Sequence, residues 1–265
     1  MTLFDAARSE PARAVVKPVV VKMVVAYDGT DFSGFAVQRG RSEIRTVGAV
    51  LAETIAKVVR HEVVLACAGR TDSGVHAWGQ VVSFETQPGL DEWRLQSAVN
   101  SMLGPEVVVR SCEIVPPAFD ARHGALWRTY RYTILNRPVP DPFRDRFVWW
   151  VPEPLDLRAL RLAADPFVGK HDFSSFCRKG PEGSSRTRVI LDSSWHDEGD
   201  GVLRYEIRAG SFCWQMVRAI VGTLVEVGAG KRRPGEMLGV IRAADRDAAS
   251  QLAPPRGLCL WDVSY

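Results

Sequence analysis

Cysteine is scarce and scattered in this chain of 265 residues. The five thiols, Cys67, Cys112, Cys177, Cys213 and Cys259, are an odd number and lie at least 36 residues apart. No CxxC pair exists and the five histidines do not cluster, which argues against a zinc site or a disulfide framework and favours a reducing compartment. Long apolar runs are missing too. None reaches the roughly 18 residues that a membrane span needs. The opening "MTLFDAARSEPARAVVKP" carries Asp5 and Glu10 where a signal peptide is apolar, so a soluble, cytoplasmic protein with no membrane partner is expected. Lysine is the last scarcity: six lysines stand beside 28 arginines in a formal net charge of +3. Arginine forks and stacks on phosphates and bases, but an arginine-rich genome explains the excess equally well. An apolar fraction of 46% and a charged fraction of 25% are those of an ordinary globular protein.

The pattern along the chain is mixed. A strand is predicted over Pro18 to Asp28, then a helix from a Thr46 N-cap through His61. Strands at "EVVLAC" and "GQVVSFET" follow, then a helix capped by Asp91 and stopped at Gly104-Pro105, and a strand at "EVVVRSCEIV". The order is β-α-β-β-α-β, the split pattern of ferredoxin-like folds. The second half repeats it. Strands at "RTYRYTILN", "TRVILDSSWH", "VLRYEIRA" and "GLCLWDVSY" combine with helices from Asp156 to Ala164 and from Phe212 to about Val227, and "FVWWVP" reads as an inserted hairpin strand. The expectation is an α+β protein of two ferredoxin-like (RRM-like) halves with mainly antiparallel sheets, residues 18–116 and 117–265, behind an N-terminal tail of residues 1–17. Residues 178–186 have the composition of an exposed loop.

Chemistry concentrates in "CAGRTDSGVHAWGQVVSFET", residues 67–86. An aspartate between two strands usually bonds its own turn, and Asp72 taken alone favours that reading. Arg70, Ser73 and His76 around it give the turn more functional groups than a strand connection requires. No His–Ser–acid order or metal spacing accompanies them.

The same stretch, with its "GRTDSGVHAWGQ" core, resembles the signature of A-type tRNA pseudouridine synthases, the TruA family. Four further blocks agree in order: "YDGTDFSGF"; "FDARHGALWRTYRYTILN"; "HDFSSF" with "SSRTRVI"; and "MVRAIVGTLVEVGAGK", before the ending "GLCLWDVSY". The resemblance runs from about residue 20 to 265. It implies an isomerase that turns uridine into pseudouridine in the anticodon stem-loop of tRNA, positions 38 to 40, with no metal or organic cofactor. It also implies a homodimer whose RNA clefts form across the two subunits. Asp72 matches the family's catalytic aspartate, Tyr130 its base-stacking tyrosine, and Arg218 the basic partner of the aspartate. Arg70 matches an arginine that holds the flipped nucleotide. The remaining expected RNA contacts are His76, Arg122 and Arg128, then Arg178, Lys179, Arg186 and Arg188, and finally Lys231 and Arg232. Two positions depart from the family pattern: Phe35 stands where tryptophan is usual, and Gly48 where glutamine is common. Cys213-Trp214-Gln215 also replaces a stretch that often carries histidine or other polar residues.

The residues fit that chemistry. Breaking the N1–C1′ bond and rejoining uracil through C5 needs an ionised nucleophile or base beside the sugar. A carboxylate near an arginine is expected to have a lowered pKa. Tyr130 can wall the detached uracil and handle a proton. The helix bearing Arg218 is apolar around most of its circumference, with Gln215 and Gly222 one turn either side. Gly222 there leaves room for a close neighbour. Attack at C1′, addition to C6 and removal of a 2′ proton all need the same carboxylate. A non-catalytic RNA-binding protein of the same fold is the main alternative, and it leaves the joint presence of Asp72, Tyr130 and Arg218 without a reason. A glycosidase lacks its second positioned carboxylate, and a phosphotransferase its phosphate loop.

Overall fold

The computed structural model describes residues 17–37, 44–178 and 183–265. Strand β1 (Val19–Tyr27) leads to α1 (Val47–Val59), whose N-cap Thr46 accepts a hydrogen bond from the Ala49 amide as its sequence predicts. The short β2 (Ala66–Cys67) and the long β3 (His76–Thr86) flank the Asp72 loop. Then come α2 (Glu92–Leu103), capped by Asp91, and β4 (Val107–Val115). The second half runs β5 (Trp127–Leu135), β6 (Trp149–Trp150), α3 (Leu157–Ala164) and β7 (Gly169–Asp172), then β8 (Thr187–Gly199) and β9 (Val202–Ala209). It ends with α4 (Met216–Gly228), α5 (Met237–Ala243) and β10 (Leu258–Ser264).

Among the described residues, ten strands join one mostly antiparallel sheet in the order β4-β1-β3-β10-β5-β9-β8-β7, with β2 on β3 and β6 on β5. The fold is therefore α+β. The seam between the halves is parallel, where His76 and Ala77 of β3 face Cys259 and Leu260 of β10. Helices α1 and α2 pack together, as do α3 and α4. A single apolar core runs through both pairs, from Met23 and Leu51 to Tyr132, Ile220 and Leu260. Ala77 and Leu260, both buried at the seam, tie the halves into one body, while Trp78 and Asp262 on the same strands stay exposed.

Several local expectations change. "FVWWVP" contributes only Trp149 and Trp150, and they pair parallel to β5, so it is no hairpin strand. "EVVLAC" shrinks to two residues, and β3 starts early enough to take His76 out of the turn. Helix α4 begins at Met216 because Gln215 sits in the left-handed region, φ 64°, and breaks the helical path from Phe212. β7 and α5 were not anticipated, being short segments with weak periodicity. The two departures at Phe35 and Gly48 meet in space. A Cβ on Gly48 would lie 2.6 Å from the Phe35 carbonyl oxygen and 3.3 Å from its ring.

Gly222 has the close neighbour its position allows. A Cβ there would stand 2.0 Å from the Gln251 carbonyl oxygen, and the Ala253 amide beside it bonds the Arg218 carbonyl at 3.1 Å. Backbone cannot yield as a flexible side chain does. Gly222→Ala is therefore expected to cost about 1–3 kcal/mol by overpacking, a fall in melting temperature of roughly 3–10 °C by thermal unfolding.

Candidate active site

The Asp72 loop, residues 68–75, is held by side chains from both halves. Gln80, fully buried in β3, donates to the Gly69 carbonyl and accepts from the Gly69 amide at 3.3 Å, standing in for a strand partner. The buried Tyr27 hydroxyl meets Thr71 Oγ1 at 2.8 Å. The first-strand turn is stitched on by the Phe35 amide to the Thr71 carbonyl, 3.1 Å, and by the Gly74 amide to the Phe32 carbonyl, 3.2 Å. From the second half, Arg128 spends its whole guanidinium on backbone. It donates to Ala68 O through Nε (3.0 Å) and Nη2 (2.7 Å), to Gly210 O (2.6 Å) and Ala125 O (3.2 Å) through Nη1, and to Arg122 O through Nη2 (2.9 Å). A guanidinium has five N–H donors, so none is left over.

Asp72 is thereby presented to the second half. Its Oδ1 accepts from the Trp214 indole Nε1–H at 3.0 Å, and its Oδ2 lies 3.7 Å from Arg218 Nη1. Arg218 is held in turn by donating Nε–H to the Ala253 carbonyl at 2.7 Å. Burial raises the Asp72 carboxyl above its ordinary value, and Arg218, the Trp214 hydrogen bond and the Arg178 charge pull it back only in part. The expectation that the arginine would dominate is thus reversed, because an ion pair at 3.7 Å does not repay the lost water. Tyr130 is buried on β5, edge-on to Phe212 with ring centroids 5.0 Å apart, and its hydroxyl lies near Gly69. Burial first, and the Asp72 charge second, raise the Tyr130 phenol far above its usual range, so the hydroxyl is neutral at neutral pH.

The other sequence-predicted residues divide. Arg70, within the loop, and Arg122 are exposed; burial raises the nearby Cys67 thiol, and the charges of these two arginines oppose that rise only in part. Arg178 is exposed, its guanidinium 4.2 Å above the Trp214 ring. Arg186 and Arg188 are partly buried near Cys177 and Cys213. Lys179 lies outside the described residues. Lys231 and Arg232 follow the far end of α4, roughly 15 Å along the helix from Arg218, and Arg232 pairs with Glu226 at 2.8 Å. Arg128 has no donor free for a phosphate. His76 is only 4% exposed, with Nδ1 accepting from the Gly29 amide at 3.0 Å and Nε2 facing the Arg256 carbonyl at 3.1 Å, so neither ring nitrogen is available to a ligand. Both belong to the scaffold, since burial demands that their polar atoms be satisfied from within.

Trp214 is the site residue that sequence reasoning missed. Its only signal was the departure Cys213-Trp214-Gln215 four residues before Arg218. Among the described residues no group of three or more His, Cys, Asp or Glu side chains is placed to hold a metal ion, and no helix is long and apolar enough to cross a membrane.

The raised carboxyl has a consequence for stability. Folded Asp72 keeps its proton to a higher pH than the unfolded chain does, so its ionisation destabilises the fold. That penalty is absent below the ordinary carboxylate range and complete above the Asp72 titration. Asp72→Asn is expected to raise the melting temperature at pH 7, and the gain should shrink as the pH falls through the acid range in a series of thermal melts.

Comparison with known proteins places this geometry. A family model described as tRNA pseudouridine synthase matches residues 23–123 and 163–265. Proteins named tRNA pseudouridine synthase A are similar over nearly their whole length. The one from Brevibacillus brevis is 41% identical over 247 residues, covering 92% of this chain and 99% of its own. That of Exiguobacterium sp. is 38% identical over 245 residues, covering 92% and 97%. That of Leifsonia xyli subsp. xyli is 39% identical over 265 aligned residues, covering 92% and 91%. With a family model across most of its length and relatives well above 30% identity, the chain belongs to the tRNA pseudouridine synthase family.

Proposed function

We propose that this protein isomerises uridine to pseudouridine in the anticodon stem-loop of tRNA, at positions 38 to 40, with Asp72 as its catalytic carboxylate. The observation that carries the reading is the setting of Asp72. A half-buried carboxylate, with one oxygen on an indole N–H and the other facing a guanidinium, lies near enough to a buried tyrosine for its charge to act on the phenol. The target uridine must leave its stack, at a cost of a few kcal/mol. Arg70, Arg122 and Arg178 are exposed to take the flanking phosphates, with the partly buried Arg186 and Arg188 as further candidates. Asp72 attacks the nucleotide, the N1–C1′ bond breaks, and uracil turns against Tyr130 until C5 bonds C1′, while the bond that Asp72 made breaks and frees the carboxylate. The proton on C5 is then lost and N1 gains one, so the atoms balance without an outside reactant. Tyr130, neutral and buried, serves as a wall and a hydrogen-bond donor. Arg218 keeps the ionised carboxylate supplied with charge.

Residues 18–116 and 117–265 act as two ferredoxin-like halves of one enzyme. Their strand orders support this, β4-β1-β3-β2 in the first and β10-β5-β9-β8 in the second. Leaving aside the short β6 and β7, each places its fourth strand first, then its first, third and second. The first half brings Asp72; the second brings Tyr130, Trp214 and Arg218. The protein works in the cytoplasm as a homodimer with tRNA bound across the subunits, in line with its family resemblance.

Unmodified tRNA incubated with the protein should show carbodiimide-dependent primer-extension stops at the anticodon stem. Asp72→Asn should abolish them while tRNA binding stays within about twofold, and new pseudouridine from that variant would end the assignment. Arg128→Lys keeps the charge and loses the fork. It should lower kcat by about 10- to 100-fold, as displaced catalytic groups do, with tRNA affinity unchanged. If Arg128 instead binds phosphate, the lysine variant would keep its kcat, and Arg128→Ala would reduce the salt dependence of binding.

A further inference from the structure

The mechanism above uses Arg218 and Tyr130 and leaves Trp214 without a part. Yet the Trp214 contact with Asp72, at 3.0 Å, is the shorter of the two that hold the carboxylate. Trp214 precedes α4 and is half exposed, at 50%, so packing does not explain why its indole N–H points inward. It is held from outside. The Arg178 guanidinium covers its ring at 4.2 Å, and the Arg178 amide donates to the Trp214 carbonyl at 3.1 Å. On the helix side, Gln215 adopts φ 64°, and the Met216 amide bonds the Cys213 carbonyl at 3.2 Å, which turns the chain so that Trp214 and Arg218 converge on one carboxylate. A left-handed glutamine is a strained choice, and here it sits between the two partners of Asp72.

We propose that Trp214 is a positioning residue for the isomerisation: it ties down Oδ1 of Asp72 and leaves Oδ2, the oxygen on the looser Arg218 contact, to meet the nucleotide. The proposal rests on Asp72 being the catalytic carboxylate. A carboxylate with both oxygens equally free can rotate, and a fixed Oδ1 removes that freedom before the substrate arrives. The indole N–H also favours the charged carboxylate, against the burial that opposes it. Arg178 covers the ring face while the N–H reaches Asp72 from the ring edge, so its exposed guanidinium links a phosphate contact to the setting of Asp72.

Trp214→Phe keeps the ring that Arg178 covers and deletes only the N–H. Steady-state kinetics on unmodified tRNA across the acid range should show kcat lowered about 10- to 100-fold, the range for losing a hydrogen bond to a charged group. tRNA affinity should be unchanged, and the acid limb of the kcat/KM profile should move to higher pH. Independently of activity, the indole N–H resonance of Trp214 in the wild-type protein should shift with pH along that same limb and lose this dependence in Asp72→Asn. A Trp214→Phe enzyme with the wild-type rate and acid limb would overturn the proposal. So would a variant that loses only tRNA affinity, which would make Trp214 a stacking surface alone. Activity surviving in Asp72→Asn would instead overturn the underlying assignment of Asp72, so the two failures are separable.

Discussion

A carboxylate taken partly out of water is the constraint around which this molecule is arranged. Asp72 loses hydration in its loop, and burial pushes its carboxyl toward the protonated form. Its ionised state is sustained only by groups from elsewhere, and the nearest ones lie 142 residues away in sequence, around the start of α4. Neither half of the chain can supply both the acid and its partners. The parallel seam between β3 and β10 and the core that crosses it are what bring the two together. The destabilisation carried by Asp72 is borne by that shared core.

Around the carboxylate, ordinary polar satisfaction does most of the positioning. Arg128 gathers four carbonyls, from Ala68 at the head of the Asp72 loop, Ala125 and Arg122 in the junction, and Gly210 before α4. One rigid fork therefore sets the distance between the loop that carries the acid and the loop that carries its partners. Gln80 does the same within the first half by completing Gly69. These side chains belong to the signature motifs but are turned inward, onto the backbone they hold. Arg70, Arg122 and Arg178, by contrast, are exposed.

Much of this was legible in the chain. Caps at Thr46, Asp91 and Asp156 and the alternating strands follow from local rules, and local rules govern short-range geometry. Asp72, Tyr130 and Arg218 were found through matching motifs, and the structure brings all three to one place. The apolar circumference of α4 likewise foretold a buried helix with Arg218 in its one polar sector.

Three things were decided only by tertiary structure. The sign of the Asp72 shift depends on the balance of lost water against a guanidinium at 3.7 Å, and a sequence states neither depth nor distance. Arg128 and His76 read as RNA contacts because their side chains are charged or polar, whereas burial commits every donor of the first and both ring nitrogens of the second to the protein itself. Trp214 reads as a mere departure from pattern until the left-handed turn at Gln215 aims it at the acid. Sequence by itself determined which chemistry the chain carries, since residue types and their order are enough for that. Which polar groups remain free to perform it was settled by folding, because a donor's availability depends on what surrounds it in space.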